Sequence, residues 1–386
     1  MEPIKVGVIG TGFSAGFHIE SLRRLPYVEI VAISGSTLEK AQEAAAKHGI
    51  PAAYGEYHEL INDERVEVVH NCTPNVLHYE INEAVMLAGK DLLSEKPLAM
   101  NANESRKLRE LAEQVDTVSG VCLNYRHFPL VVQAKSMLAS GEYGKPHLVT
   151  GSYLQDWLLY KTDYSWRLEP EKNGPSRAIA DIGSHWCDTL QFVLGSRIVS
   201  VMADLQTLYP RRSKPVGSVT TFGKAEYELT EEMDIKTEDS GSVLIHFENG
   251  VSGVFTVSQV SAGRKNKLEF EISARDASLY WDQENPNKLW MGRRHKANHE
   301  LMRDPSLLMP DAAALAHMPG GHEEGWPEGM KNLLIDFYNE VMRKRRGMEI
   351  EGTPMFATIA EGHHLMQIID AVLESNLTRQ WVHIRD

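Results

Sequence analysis

A chain of 386 residues, 42% hydrophobic and 24% charged, carries enough apolar material for a large core divided over two or three domains. Forty basic against 53 acidic residues leave a net charge of -13, which excludes a phosphate backbone as a natural partner, and the one basic cluster, Arg343-Lys344-Arg345-Arg346, falls at an expected helix end. Cys72, Cys122 and Cys187 stand far apart without ligand spacing, so no disulfide framework or cysteine zinc site is expected and the setting reads as a reducing cytoplasm. No run approaches about 18 apolar residues and Met1-Glu2-Pro3 opens no signal segment, so neither a membrane span nor export is expected.

The chain opens on Ile4-Lys5-Val6-Gly7-Val8-Ile9, a strand, then Gly10-Thr11-Gly12-Phe13-Ser14-Ala15-Gly16 and a helical stretch to about Leu25. Gly10 allows the tight turn, Gly12 lets backbone approach a pyrophosphate, and Ala15 keeps helix and strand close, while the helix start offers amide donors to the anion. A second strand, 29–33, completes a βαβ unit. After it, Ser34-Gly35-Ser36-Thr37 places no acid where one would bond a ribose 2′-hydroxyl; Ser36, Thr37 and Lys40 suit either a 2′-phosphate or a plain helix start with a solvated lysine.

The alternation continues: helix 38–48, strand 66–71, helix 75–88, strand 90–93, helix 103–115 and strand 117–123, the order of a doubly wound parallel sheet. Ligands bind such sheets beyond the strand ends. Thr73-Pro74-Asn75 and His78 follow one strand end, with Asn75 able to cap the next helix or to touch a cofactor. Glu95-Lys96-Pro97 follows another, and Pro97 constrains Lys96 to extended or turn backbone.

After Asn124-Tyr125-Arg126-His127 the character shifts. A helix at 130–140 precedes strands at 147–154, 198–208, 233–237, 242–247, 251–258, 267–273, 278–282 and 288–292, with Asn249-Gly250 as a hairpin signal, so an antiparallel meander is expected. Helices at 330–345 and 356–373 close a second domain, and 294–328 reads as a long loop on an active-site rim. Within that domain a helix at 180–194 carries Asp181 and His185 four residues apart on one face. Such a pair serves either as a capped helix start or as an acid/base pair, the carboxylate orienting the imidazole. His363-His364 and the histidines of 295–299 lack partner ligands at metal spacing, so no metal is expected.

The glycine turn with His18, Thr73-Pro74-Asn75 with His78, Glu95-Lys96-Pro97, and Asp181-Ile182-Gly183-Ser184-His185, in this order, resemble the glucose-fructose oxidoreductase, inositol dehydrogenase and rhizopine-catabolism (Gfo/Idh/MocA) family over nearly the whole chain. The resemblance implies an α/β protein: an N-terminal Rossmann domain (1–124) with a doubly wound parallel sheet, and a C-terminal α+β domain (125–386) with a large open, mainly antiparallel sheet. It implies a nicotinamide dinucleotide held by Gly10, Thr11, Gly12, Phe13, Ser36, Lys40, Thr73, Pro74, Asn75, His78, Glu95, Lys96 and Asn124. Lys96 would face the Asp181/His185 helix across the nicotinamide, these three being catalytic. Tyr153, Gln155, Trp157, Trp166 and Arg167, with the 319–326 loop and its His322, resemble segments of members acting on glucosides and anhydrosugars; Arg126, Lys96, Asp181 and His185 join them as expected substrate contacts. Their aromatic faces and donors suit a pyranose, the alternative for each tryptophan being sheet core.

The expectation is therefore an NAD(P)-dependent sugar or polyol dehydrogenase, with NADP favoured over NAD, and a homodimer or homotetramer formed through the strands of 198–292. The rival is a non-catalytic dinucleotide-binding sensor of the same fold.

Overall fold

Ile4–Ile9 forms a first strand (β1) that buries Ile4, Val6, Val8 and Ile9, as a central parallel strand covered on both faces must. Phe13–Leu22 (α1) leads to Val28–Ser34 (β2), and Leu38–His48 (α2) to Ala52–Tyr54 (β3), Tyr57–Asn62 (α3) and Val68–Asn71 (β4). His78–Leu87 (α4), Asp91–Ser94 (β5), Ala102–Ala112 (α5) and Ser119–Val121 (β6) complete the alternation. Local chemistry sets the boundaries: the Thr37 hydroxyl accepts the Lys40 amide at the start of α2, and Gly49 ends it in the left-handed region at φ 56°. The strand order is β3-β2-β1-β4-β5-β6, all parallel.

This computed structural model describes residues 2–215, 230–349 and 352–385, and the chain divides into two units: 1–124 with 330–366, and 125–329 with 367–386. The expected division into 1–124 and 125–386 is thus corrected, because 330–366 belongs with the first sheet. Trp326–Arg346 (α10, numbered in chain order with the helices given below) places Tyr338 on His70 at 2.9 Å, Arg345 on Asp91, and Arg346 on Glu67 at 2.8 Å, while Ala357–Thr358 (β17) adds an antiparallel edge strand to β6. The basic cluster that reads as a helix end is therefore an anchor to the parallel-sheet unit.

In the second unit Pro129–Ala139 (α6), Pro146–Leu154 (β7), a single turn Pro170–Asn173 (α7) and Ser184–Leu194 (α8) precede the strands Ile198–Gln206 (β8), Arg211–Pro215 (β9), Thr230–Asp234 (β10), Ser240–Phe247 (β11), Ser252–Ser258 (β12), Lys267–Ala274 (β13), Ser278–Asp282 (β14), Lys288–Gly292 (β15) and His299–Met302 (β16). Pro310–Ala313 (α9) lies in the long loop; Ile359–Thr378 (α11) and Val382–His383 (β18) end the chain. The nine-stranded sheet runs β16-β15-β14-β13-β7-β12-β11-β8-β18. It is not the expected simple meander: β7 inserts between β13 and β12 and runs parallel to β12. Strict alternation along β11 and β13 buries one face, with Val243, Ile245, Leu268, Phe270 and Ile272 fully covered. Gly151 is required where β7 passes under α8, since a Cβ there would lie 2.3 Å from the Glu269 carbonyl and 2.7 Å from the Trp186 ring nitrogen.

Three local expectations change. The strand expected at 233–237 is β10 at Thr230–Asp234, which among the described residues pairs with β9 in a separate two-stranded sheet. The long loop 294–328 contains β16 and α9. The helix expected from Asn75 opens instead as a 3-10 turn over Asn75–Leu77, and α4 itself starts at His78 with Leu77 at its N-cap position.

Candidate active site

In the first unit the strands end in register. Ile9 pairs with Ser34 and Asn71, Asn71 with Ser94, and Ser94 with Val121. One residue further on, Gly10, Cys72, Glu95 and Cys122 donate their amides to Ser34, Ile9, Asn71 and Ser94 carbonyls at 2.8, 2.8, 2.9 and 2.8 Å, so every expected cofactor loop leaves the same sheet edge. Gly10 has φ 114°, and a Cβ there would meet the Cys72 carbonyl at 2.6 Å. Gly12, at the start of α1, opens onto space with nothing within 4 Å of its would-be Cβ and contributes no side-chain cap. Thr11 and Phe13 are exposed beside it. At the end of β2, Lys40 Nζ donates to Ser36 Oγ at 3.3 Å on the surface. Thr73 donates its hydroxyl to Asn71 Oδ1 at 2.7 Å next to exposed Pro74 and buried Asn75. Asn124 is buried, with Nδ2 lacking a protein acceptor.

The Lys96–Pro97 peptide is cis. Preceding it, Glu95 accepts the Lys96 amide on Oε2 at 3.1 Å and faces His18 Nε2 through Oε1 at 3.1 Å. Burial pushes this carboxyl up, but the His18 hydrogen bond and the charges around it outweigh that and hold it at about 2. Among the described residues His18, Glu95 and Cys122 are the one group whose ligand atoms lie within 4.8 Å of one another, and the His18–Glu95 separation is that of a hydrogen bond. His78 braces the loop, its ring nitrogens facing the Pro97 and Thr73 carbonyls at 2.6 and 2.8 Å, and burial disfavours its cation.

The second unit builds a separate constellation. Residues 179–183 form a π-helical turn that runs into α8, delivering Asp181 and then His185. Asp181 accepts Gln259 Nε2 at 2.9 Å on Oδ2 and pairs with Arg167 Nε at 3.3 Å through Oδ1. Gln259 is itself held by buried Arg177 at 3.1 Å. The His185 ring sits edge-on to Tyr125 at 5.0 Å and tilted to Tyr153 at 6.3 Å. Those phenols close a ring with Asn266: Tyr153 donates to Asn266 Oδ1 at 2.6 Å, Asn266 Nδ2 donates to the Tyr125 oxygen at 3.0 Å, and Tyr125 must then donate to Tyr153 at 2.7 Å. Burial pushes Tyr125 up to about 12 and raises Tyr153 well above the usual phenol value, so both stay protonated. Gln155 donates to Asn266 at 2.9 Å and accepts Trp157 Nε1 at 2.7 Å.

This arrangement sorts the expected substrate residues. Asp181, His185, Tyr153, Gln155 and Arg167 come together, with Trp166 stacked 4.6 Å from the Arg167 guanidinium. Trp157 takes the core alternative, packing on Leu158, Leu168 and Ile235. Arg126 is engaged within the fold: its side chain is 4% exposed and bound by Asp188 through Nε at 3.0 Å and also through Nη2. His322 is exposed on its loop and tied through its carbonyl to Arg303. Tyr125, Asn266 and Gln259 were missed, because each reaches the site from a separate segment with no spacing signal.

Residues 4–123 match the family of oxidoreductases with an NAD-binding Rossmann fold, and residues 131–280 match the GFO/IDH/MocA C-terminal domain. The chain is 27% identical to levoglucosan dehydrogenase of Pseudarthrobacter phenanthrenivorans, covering 100% of this chain and 99% of that protein. An inositol 2-dehydrogenase/D-chiro-inositol 3-dehydrogenase of Lactiplantibacillus plantarum is 29% identical over 55% of this chain and 57% of its own. Among solved structures, levoglucosan dehydrogenase complexed with NADH and L-sorbose superposes with a TM-score of 0.87 at 27% identity, each chain covered completely. An oxidoreductase domain protein from Kribbella flavida gives 0.87 at 28% identity with the same coverage. Since these matches run through both units, the chain belongs to the Gfo/Idh/MocA oxidoreductase family.

Proposed function

We propose that this enzyme is an NAD(P)-dependent dehydrogenase acting between a secondary alcohol and the ketone of a sugar, glycoside or inositol. The observation that carries the reading is Asp181, fixed by Arg167 and Gln259 one turn before His185, on a fold whose relatives include levoglucosan and inositol dehydrogenases. A nicotinamide dinucleotide fits the first unit: Gly10 has the backbone only glycine adopts easily, Gly12 leaves open space at a helix start, and Asn124 Nδ2 offers a buried donor. When bound, the nicotinamide supplies the hydride acceptor or donor. For oxidation His185 accepts the hydroxyl proton, Lys96 donates to the oxygen where negative charge develops, and Asp181 orients His185 or holds a neighbouring hydroxyl. Run backwards, His185 protonates the alkoxide. Gln155, Arg167, Trp166 and Tyr153 supply donors and ring faces for the sugar. The sensor alternative gains nothing from these relatives. A panel of sugars, glycosides, anhydrosugars and inositols, followed by absorbance of reduced cofactor, should give turnover; activity confined to simple 2-hydroxy acids overturns the substrate class, and cofactor binding without any turnover favours the sensor.

We further propose that NADP is accepted and preferred. No acid stands between Ser34 and Leu38, and a Cβ at Gly35 would lie 3.0 Å from the Ala41 amide, so a carboxylate cannot simply be placed there. Lys40 and Ser36 instead converge at 3.3 Å, a donor pair for a 2′-phosphate. Steady-state kcat/KM with both dinucleotides tests this, and a tenfold preference for NAD, about 1.4 kcal/mol, would refute it.

A dimer or tetramer through the open sheet is proposed as well. Its outward face carries a continuous cross-strand row, Met202, Leu244, Val254, Thr150, Glu271, Tyr280 and Trp290, with Leu244 45% exposed. The expected range 198–292 includes 216–229, which lie outside the described residues. Light scattering at micromolar concentration should return a multiple of 43.4 kDa, and Leu244→Glu should shift it toward the monomer. No helix among the described residues is long and apolar enough to cross a membrane.

A further inference from the structure

A line of four polar side chains crosses the interior of the first unit and ends beside Lys96. Tyr338 on α10 meets His70 Nε2 at 2.9 Å, His70 Nδ1 meets His18 Nδ1 at 2.7 Å, and His18 Nε2 meets Glu95 Oε1 at 3.1 Å. Tyr338 and His70 are 0% exposed and His18 is 1% exposed, in a place where apolar side chains would pack as well at lower desolvation cost. We propose that His18 and His70, backed by Tyr338, are positioning residues for Lys96: they form a buried relay that aims and holds the Glu95 carboxylate against the Lys96 backbone amide. The proposal rests on Lys96 being the donor to the reacting oxygen.

Hydrogen-bond bookkeeping makes the line directional. Glu95 accepts only, so His18 carries its proton on Nε2 and, when neutral, presents Nδ1 as an acceptor. His70 then donates from Nδ1 and accepts the Tyr338 hydroxyl on Nε2. If His18 takes a second proton, His70 switches tautomer and donates to the Tyr338 oxygen, still neutral itself; burial and the neighbouring His18 hold its pKa well below the usual histidine value. Either way Glu95 keeps its donor. The groups facing that carboxylate are His18, Lys96, His78, Cys72 and Cys122, and burial pushes both thiols well up, leaving them neutral. With Oε2 on the Lys96 amide and Oε1 on His18, the carboxylate has one orientation.

The sign of the pH effect follows. Wild-type Glu95, held at about 2, stays charged over any practical assay range. Without His18 only Lys96 and His78 still oppose the burial penalty, so the carboxyl rises, takes up a proton at higher pH than in the wild type, and kcat gains a new acid-side loss. His18→Leu should therefore lower kcat by about tenfold at the acid end of the assay range, with the dinucleotide KM within about threefold, and His18→Gln, which retains a donor, should recover most of it. Glu95→Gln abolishes the new limb, and the double variant His18→Leu/Glu95→Gln should be no worse than Glu95→Gln alone. An unchanged pH profile in His18→Leu, or additive losses in the double variant, overturns the relay. If His18→Leu does not fold, Tyr338→Phe, which leaves His70 Nε2 without its donor, should show the same limb more weakly, and a wild-type profile there overturns it too. Lys96→Ala run in parallel separates the two readings: full turnover in that variant overturns both, whereas its loss alongside an unchanged His18→Leu profile overturns the relay alone.

Discussion

Replacing Lys96 or His185 by alanine is expected to lower kcat by at least about 10²-fold while dinucleotide affinity stays within a few fold. The size follows from role: a proton acceptor and a charge-stabilising donor act mainly in the transition state, so their loss appears in kcat rather than in binding. The first unit keeps its cofactor edge without the lysine side chain, because the strand ends and glycine turn are held by backbone hydrogen bonds. In the second unit the Tyr125–Tyr153–Asn266 ring closes on its own donors and acceptors, so alanine at position 185 leaves the layer under it intact. Cofactor titration by fluorescence and single-turnover kinetics check the two halves of the expectation. Near wild-type turnover in either variant sinks the assignment, and so does a loss of cofactor affinity equal to the loss of rate.

Arg126→Ala should destabilise the fold rather than blunt the chemistry. It removes the two-point guanidinium partner of Asp188, a carboxylate 2% exposed, and breaking such a buried pair costs about 3–5 kcal/mol. It also strips the guanidinium from the Phe192 ring, 5.2 Å away. Thermal melting should show a fall of several degrees, and Arg126→Met with Asp188→Leu should recover most of it, since replacing both charges by apolar groups of similar volume removes the desolvation cost. An unchanged melting point together with a raised sugar KM would restore Arg126 to the substrate contacts.

The parallel-sheet unit was legible because its signals are local. The strand runs of 4–9 and 29–33 and the Gly10–Gly12 turn each state their conformation within a few residues, and a parallel sheet then requires the loops after Ile9, Asn71 and Ser94 to leave one edge. His78 marks the limit of such local signals: its partners, the Thr73 and Pro97 carbonyls, could be counted only after folding.

What the chain by itself determined is the alternation of the first sheet, the glycine turn, and the pair Asp181 and His185 on one helical stretch, all consequences of steric and periodic rules acting over less than about a dozen residues. Tertiary structure alone decided which polar groups are satisfied internally and which remain available for chemistry. Arg126 and Asp188 are 62 residues apart, His70 and Tyr338 are 268 apart, and Asp181 finds Gln259 across 78. The reason is energetic: a buried charge or donor must find a partner wherever the chain brings one, and that partner's position along the sequence carries no periodic mark.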